Sequence, residues 1–234
     1  MAIRVLYAVP GVGLEGKELE RRKKILNSLA SGDVKVEVKA VDEGPESIES
    51  PYDEYLCVPP TIKLVRSFEK DFDAAIIGCF GDPGIEALRD AVKIPVAGPG
   101  ESSMLFASTL GHKFSVITIN RGVFSIIEGI AERLGVAKRM ASIRGTGLTV
   151  TETNEKPEMA KTKLLEASRE AVERDGADTI VLGCMSEAFL GFDKVISEKL
   201  GVPVVNPVVA SLRMAESYVR SNLVHSPLAY GRSK

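Results

Sequence analysis

The sequence predicts an α/β protein of two similar lobes, each with a mostly parallel sheet, related by a pseudo-twofold axis. Short apolar segments alternate with segments whose apolar residues recur at helical spacing, and this alternation favours parallel strands joined by right-handed crossovers. The same order of elements occurs twice. Cys79 and Cys184 lie 105 residues apart (184 − 79), and Pro95 and Pro203 lie 108 apart (203 − 95), which indicates an internal duplication.

The elements of the first lobe follow from apolar spacing and turn signals. Between residues 42 and 60, acidic composition and several prolines favour a loop. The other predicted elements are a strand at 4–9, a glycine-rich turn at 10–16, a helix to about residue 30, a strand at 34–41, a helix at 62–68, a strand at 74–77, a helix from 82 and a strand at 94–99.

The second lobe repeats this pattern. Residues 145–155 are polar and are predicted to be a second loop. The other predicted elements are a helix at 101–110, strands at 113–119 and 140–143, helices at 123–134 and 160–172, a strand leading to Cys184, a helix at 187–200, a strand at 202–207 and a last helix at 208–219. We expect lobe 1 to comprise 1–98 completed by the C-terminal helix at 207–234, and lobe 2 to comprise 99–206.

The composition excludes several classes of function. Thirty Lys and Arg residues balance 32 Asp and Glu residues, and the chain has no basic block of the kind that binds nucleic acid. No apolar run approaches the length that spans a membrane, and the N-terminus enters a strand pattern without a signal-peptide core. We therefore expect a cytoplasmic protein with no nucleic-acid or membrane partner. Three cysteines, an odd number, favour reduced thiols.

Two of the cysteines have equivalent positions. Cys79 and Cys184 each follow a glycine at the predicted carboxyl end of a strand, where open α/β sheets bind their ligands. Asp82 is predicted to cap the next helix, with Pro83 as its first residue. Inverting a carbon stereocentre needs a base on one face and an acid on the other, and two thiols near helix N-termini suit both roles. This chemistry requires no cofactor.

The residues around these cysteines also resemble a known family. The matching segments are 78–84, 88–89, 94–98, 114–118 and 181–184, and they are similar to the cofactor-independent aspartate/glutamate/hydantoin racemase superfamily, closest to its hydantoin racemases. The resemblance implies two flavodoxin-like lobes, a small-molecule substrate in a cleft, no cofactor and a homo-oligomer. It also implies acid/base roles for Cys79 and Cys184 and a substrate pocket lined by Gly81, Asp82, Ser102, Thr118, Met185 and Ser186.

The residues beside the cysteines bear on the substrate. Phe80 follows Cys79 and Met185 follows Cys184, so the predicted pocket walls are partly apolar and suit an uncharged ring. Pro10, in the turn after the first strand, is a further substrate-binding candidate. We expect 5-monosubstituted hydantoins, or a related ureide such as allantoin, in preference to free aspartate or glutamate. An aspartate/glutamate racemase of the same superfamily is the alternative.

Two readings from other classes stay open. Gly11, Gly13 and Gly16 form a G-x-G-x-x-G turn between a strand and a helix, with Asp42 after the next strand, which is the pattern of a nucleotide-binding α/β protein. A non-catalytic ligand-binding protein would explain two lobes but not two positioned thiols.

Cys57 is predicted to be a core residue. His112 and His225 have no partners at metal-binding spacing, so no metal is expected.

Overall fold

A computed structural model of the chain describes residues 2–231, in which strands and helices alternate. The strands are β1 (Ile3–Val9), β2 (Val34–Ala40), β3 (Ala74–Ile77), β4 (Val96–Ala97), β5 (Phe114–Thr118), β6 (Met140–Gly145), β7 (Thr179–Leu182) and β8 (Val204–Val205). The helices are α1 (Gly16–Leu29), α2 (Pro51–Phe68), α3 (Ile85–Ala91), α4 (Pro99–Leu110), α5 (Phe124–Arg133), α6 (Val150–Glu155), α7 (Pro157–Glu173), α8 (Met185–Ala188), α9 (Asp193–Leu200) and α10 (Pro207–Arg220). Short 3₁₀ helices lie at Glu69–Asp71, Arg121–Val123 and Ala137–Arg139.

The chain divides into two compact units. The first comprises the chain up to Ile48, the segment Tyr52–Pro99 and the chain from Ser211 onward. The second comprises Glu49–Pro51 and Gly100–Ala210. Within residues 2–231, no helix is both long and apolar enough to span a bilayer.

Each unit contains one four-stranded parallel sheet, and the two sheets have the same topology. The strand order is β2-β1-β3-β4 in the first unit and β6-β5-β7-β8 in the second. In both sheets the first strand of the repeat pairs with the second and third strands, and the third also pairs with the fourth, so that the first and third strands both lie in the interior. The predicted α/β class with two similar parallel-sheet lobes is therefore confirmed.

Strand burial explains the apolar runs of the sequence. All four residues of β3 and all four of β7 are buried, as expected for interior strands of a sheet covered by helices on both faces. One face of the first sheet packs Leu6, Ala8, Ala75 and Ile77 against residues of the flanking helices, among them Val65 and Leu88. Burial of these side chains stabilises β3, the strand whose carboxyl end leads to Cys79.

The predicted loop at 42–60 is partly wrong, because helix α2 begins at Pro51 and continues to Phe68. A proline suits the first position of a helix, whereas Pro59 and Pro60 lie inside this one and remove two hydrogen-bond donors. The helix nevertheless buries one residue per turn on one face: Cys57, Thr61 and Val65. Packing of this stripe outweighs the local penalty of the prolines.

The predicted loop at 145–155 is also partly wrong, because helix α6 covers Val150–Glu155. Its N-terminus is a capping box, in which the Thr149 hydroxyl accepts from the Glu152 N–H and the Glu152 carboxylate accepts from the Thr149 N–H. The pattern Thr-x-x-Glu is visible in the sequence and could have identified this helix.

Two helix boundaries near the cysteines also differ from the predictions. The helix predicted at 187–200 is two helices, α8 and α9, separated by a turn in which Gly191 has a φ of 64°. Asp82 does not cap α3, because the helix begins at Ile85 and its N-cap is Gly84. Asp82 itself has a φ of 51°, a left-handed conformation that aspartate tolerates better than most residues with a side chain.

Candidate functional site

In the first unit, Cys79 lies directly beyond the carboxyl end of β3. The preceding residue, Gly78, donates its N–H to the Ala8 carbonyl of β1 at 2.6 Å. A Cβ atom at Gly78 would lie 2.7 Å from Cε1 of the buried Tyr7 ring and 2.9 Å from the Ala8 oxygen. The close approach of β1 therefore requires glycine at position 78, and it fixes the backbone that presents Cys79. The Cys79 side chain is partly exposed.

In the second unit, Cys184 has the equivalent position beyond β7. Gly183 donates its N–H to the Ile117 carbonyl of β5 at 2.5 Å. A Cβ atom at Gly183 would lie 2.6 Å from Cγ1 of Val116, so this position also requires glycine. Cys184 is the N-cap residue of α8 and is 8% exposed. Each Gly-Cys pair thus follows an interior strand of its sheet for the same steric reason.

Three predicted residues share the turn that follows Cys79. The Asp82 N–H donates to the Cys79 carbonyl at 3.2 Å, which closes a tight turn containing Phe80 and Gly81. Phe80 is 3% exposed, so its ring belongs largely to the interior of this unit. Asp82 is 2% exposed, and a Cβ atom at Gly98 would lie 2.5 Å from its carboxyl carbon. The carboxyl group of Asp82 therefore packs directly on the Gly98 backbone after β4.

Four predicted residues lie in the second unit. Thr118, at the end of β5, is fully buried and donates its hydroxyl to the Gly183 carbonyl at 3.0 Å. Met185 and Ser186 are the first two residues of α8, whose N-cap is Cys184, and each is 4% exposed. Ser102, on α4, is fully buried, and its Oγ has no hydrogen-bond partner within the part of the chain that the structure describes.

A buried acid three residues after Cys184 is not predicted from the sequence. Glu187, the third residue of α8, is fully buried, and its Oε1 lies 2.9 Å from the Thr146 hydroxyl. Burial raises the pKa of Glu187 to about 8, and a hydrogen bond donated by Thr146 to the ionised carboxylate would offset only part of that rise. Glutamate is a common helix residue, and its burial depends on elements distant in sequence.

The glycine-rich turn after β1 is occupied by contacts within its own unit. The Val12 N–H donates to the Pro45 carbonyl and the Gly13 N–H donates to the Glu46 carbonyl, both at 3.0 Å. A phosphate-binding turn needs such N–H groups directed at the ligand. Two of the donors that the nucleotide-binding alternative requires are therefore engaged within the protein. Pro10 is buried at the start of the same turn.

The third cysteine has an environment unlike that of a reactive thiol. Cys57 is fully buried on α2, and its Sγ lies 3.1 Å from the Glu54 carbonyl. Burial raises the pKa of Cys57 to about 12, with the neighbouring Glu54 adding to the effect. A thiol with such a pKa stays protonated and unreactive at neutral pH. Among residues 2–231, no cluster of three or more His, Cys, Asp or Glu side chains is arranged to hold a metal ion.

Comparisons with known proteins agree with this architecture. A model of the Asp/Glu/hydantoin racemase family matches residues 19–215. The chain is 38% identical over 193 residues to a hydantoin racemase of Pseudomonas sp. strain NS671, covering 82% of this chain and 77% of that protein. An allantoin racemase structure from Pseudomonas fluorescens matches with a TM-score of 0.93 at 29% identity, covering 99% of this chain and 97% of the other. An allantoin racemase structure from Klebsiella pneumoniae matches with a TM-score of 0.90 at 26% identity, covering 100% and 95%.

The family match and the first relative each extend over most of the chain, and the parallel sheets of the two units agree with the solved structures. The resemblance inferred from the cysteine segments is thereby confirmed. The chain belongs to the Asp/Glu/hydantoin racemase family, and the protein is an isomerase of its pyridoxal-phosphate-independent racemase type.

Proposed function

We propose that the protein racemises 5-monosubstituted hydantoins or a related ureide such as allantoin, without a cofactor, with Cys79 and Cys184 as the two proton-transfer groups. The observation that carries this proposal is the repeated Gly-Cys pair beyond an interior strand of each sheet. One such cysteine has several ordinary explanations. Two cysteines at equivalent positions, each preceded by a sterically required glycine, are better explained by a shared reaction.

The proposed reaction transfers one proton off the ring carbon and one proton onto it. The thiolate on one face takes the hydrogen of the stereocentre, so that an S–H bond forms, the C–H bond breaks and the electron pair moves onto the adjacent carbonyl oxygen as an enolate. The thiol on the other face then protonates the carbon as its own S–H bond breaks. The two sulfurs end with exchanged protonation states, so either enantiomer can enter the next cycle.

The environment of each cysteine supports an uncharged substrate. The residues that follow the two cysteines, Phe80 and Met185, carry no charge, and both relatives named by their substrates act on ring ureides, hydantoin for one and allantoin for the other. An amino acid carries a carboxylate that accepts further charge poorly, whereas the ring carbonyl beside the stereocentre becomes an enolate that backbone N–H groups can stabilise. We propose that Pro10, Gly81, Asp82, Ser102, Thr118 and Ser186 complete the pocket.

The two-cysteine mechanism is tested by single substitutions. Cys79→Ser and Cys184→Ser should each lower kcat by at least about 100-fold, because general acid/base groups contribute about that much or more. The matched control is Cys57→Ser, which removes a thiol of the same chain and should retain nearly full activity. The assay follows the loss of optical rotation of each enantiomer. Near-normal racemisation by Cys184→Ser would contradict the mechanism.

Solvent exchange gives an independent reading of each half-reaction. A variant that has lost one thiol keeps the base on the other face, so it should still exchange the stereocentre hydrogen of one enantiomer with deuterium oxide. Cys79→Ser and Cys184→Ser should differ in the enantiomer that exchanges. If both exchange the same enantiomer, the assignment of one cysteine to each face is wrong.

The substrate class is tested by comparing kcat/KM for both enantiomers of a 5-monosubstituted hydantoin, allantoin, aspartate and glutamate under one set of conditions. We expect a clear preference for the ring compounds. A preference for aspartate or glutamate would overturn the pocket argument and leave the cysteine mechanism intact. Activity should survive dialysis against a chelator, and alkylation of the thiols should abolish it unless substrate is bound.

A further inference from the structure

The turn that carries Cys184 is braced on both sides by two threonines. On the side of β7, the Thr118 hydroxyl donates to the carbonyl of Gly183 at 3.0 Å. On the side of α8, the Thr146 hydroxyl lies 2.9 Å from Oε1 of Glu187. The two threonines are themselves joined, because the Thr146 N–H donates to the Thr118 carbonyl at 2.8 Å. The backbone on both sides of Cys184 is thus tied to the ends of β5 and β6.

The geometry favours a neutral carboxyl group in this brace. Thr146 Oγ1 lies within reach of two acceptors, Glu187 Oε1 at 2.9 Å and the Ile119 carbonyl at 3.3 Å, but a hydroxyl has one proton. If Glu187 is protonated, its O–H donates to the Thr146 oxygen and the Thr146 O–H donates to Ile119, so both contacts are hydrogen bonds. If Glu187 is ionised, the single proton of Thr146 can serve only one of the two acceptors, so only one of the two contacts is a hydrogen bond.

Burial favours the same state. Glu187 is fully buried, and its Oε2 has no hydrogen-bond partner within residues 2–231. An ionised carboxylate in such surroundings is far costlier than a neutral acid, because it loses its hydration without compensating donors. The pKa of about 8 agrees with this reasoning.

Several charged groups on the elements around α8 are paired with other residues, whereas Glu155 on α6 and Glu166 on α7 are exposed and Lys163 on α7 is half-buried. Strand β7 and strand β5 contain no ionisable side chain. On β6, Arg144 is paired with Asp175 and Glu170. On α6, Glu152 closes the capping box with Thr149.

The remaining neighbours of Glu187 are helix α7 and Cys184 itself. On α7, Lys161 is paired with Glu158. Cys184 lies three residues before Glu187, at the N-cap of the same helical turn, and residues at that spacing are neighbours. A negative charge on Glu187 would therefore oppose the thiolate of Cys184.

We propose that Glu187 is a positioning residue, which as a neutral acid ties the turn carrying Cys184 to the ends of β5 and β6, and whose ionisation loosens that turn and limits activity at alkaline pH. This inference rests on the proposed function of Cys184 as a proton-transfer group. Glu187 acts through Cys184 and needs no contact with the substrate.

The protonation state is tested on the whole protein by infrared difference spectroscopy between the wild type and Glu187→Gln. A carbonyl stretching band of a protonated carboxyl group should be present in the wild type at pH 7, disappear as the pH rises through about 8, and be absent from Glu187→Gln. This measurement needs no substrate. Absence of the band at pH 7 would overturn the inference even if both cysteines prove essential.

The positioning role is tested with Glu187→Gln, Glu187→Ala and Thr146→Val. Glutamine mimics the neutral acid, so Glu187→Gln should keep kcat at pH 7 within about twofold and lose the alkaline decline of the wild type. Glu187→Ala and Thr146→Val should each lower kcat about tenfold. The matched control is Thr153→Val, which removes another buried hydroxyl of the same unit, one that donates to the Thr149 carbonyl and makes no hydrogen bond to Glu187 or Gly183 among those described for residues 2–231.

A substrate-independent reading separates this inference from the proposed function. In Glu187→Ala, iodoacetamide should alkylate Cys184 at least threefold faster than in the wild type at pH 7, because a loosened turn exposes a thiol that is now 8% accessible. Alkylation of Cys79 should not change. If Cys184 is alkylated faster in Glu187→Ala but the wild type racemises none of the substrates, the proposed function is wrong and the structural role of Glu187 in this turn is supported. If Glu187→Gln speeds alkylation of Cys184 as much as Glu187→Ala does, or if neither variant changes the rate of that alkylation, the positioning role of Glu187 is refuted.

Discussion

Replacing Glu187 by glutamine should change how stability depends on pH, because burial raises the pKa of this carboxyl from its ordinary 4.5 to about 8. The unfolded chain releases the proton near pH 4.5, whereas the folded chain keeps it to about pH 8. The contribution of Glu187 to stability is therefore fully present below pH 4.5 and is lost as the pH rises towards 8. Glutamine does not titrate, so the variant lacks this loss.

The size of the effect follows from the same values. Between about pH 5.5 and 7.5, each pH unit lowers the free energy of unfolding of the wild type by about 1.4 kcal/mol relative to Glu187→Gln, or about 3 kcal/mol over the interval. The contribution of every other group cancels in the comparison of the two proteins. The full carboxyl burial makes solvent screening a small correction here.

The assay is urea denaturation of both proteins at several pH values, followed by far-ultraviolet circular dichroism, since the chain contains no tryptophan for fluorescence. The difference between the two free energies of unfolding should grow steadily from pH 5.5 to 7.5 in favour of Glu187→Gln. Parallel dependences for the two proteins would show that Glu187 is ionised or exposed in the folded state. That result would refute the burial argument.

Three further predictions concern other parts of the molecule. Gly183→Ala should destabilise the fold by roughly 1–3 kcal/mol and lower kcat, because the new Cβ would lie 2.6 Å from Val116 Cγ1 and 3.0 Å from the Ile117 oxygen; equal thermal melting of variant and wild type would contradict this. His225 accepts from the Val96 N–H at 2.8 Å, and burial, with Arg89 adding, lowers its pKa to about 4. The contribution of neutral His225 to the free energy of unfolding, about 1–2 kcal/mol after solvent screening, should be present above pH 6.5 and lost as the pH falls towards 4. In urea unfolding, the stability of His225→Gln should therefore fall less steeply with acid than that of the wild type. Cys57 should resist alkylation in the native protein at pH 7.5 and react only after denaturation, as peptide mass spectrometry would show, because its thiol stays protonated.

The local sequence was sufficient to predict the sheets and to locate both cysteines. Buried interior strands of a parallel sheet are continuous apolar runs, and 74–77 and 179–182 are such runs in the sequence. Because the third strand of each repeat pairs in the interior of its sheet, the residue after its terminal glycine comes to the carboxyl edge in both units. The duplication of this pattern, rather than either cysteine alone, made the family recognisable.

The errors at 51–60 and 150–155 have different physical causes. The capping box that begins helix α6 is a local signal, so this helix is predictable from its own residues. Helix α2 is not predictable in this way, because its two internal prolines oppose a helix locally. Only the packing of Cys57, Thr61 and Val65 against the rest of the unit favours it. Helix propensity can be estimated from the local sequence, whereas the stabilisation from tertiary packing cannot.

Strand periodicity and the Gly-Cys pairs are properties of neighbouring residues, so they were enough to predict that both cysteines follow buried strands at the carboxyl edges of their sheets. The ionisation, reactivity and hydrogen-bond partners of individual side chains depend instead on the tertiary structure. Burial makes Glu187 a weak acid and Cys57 an inert thiol, and Thr118 and Thr146 reach the Cys184 turn only because β5 and β6 lie beside β7 in the folded sheet. Dielectric environment and hydrogen-bond partners come from residues distant in the chain, and no local pattern specifies them.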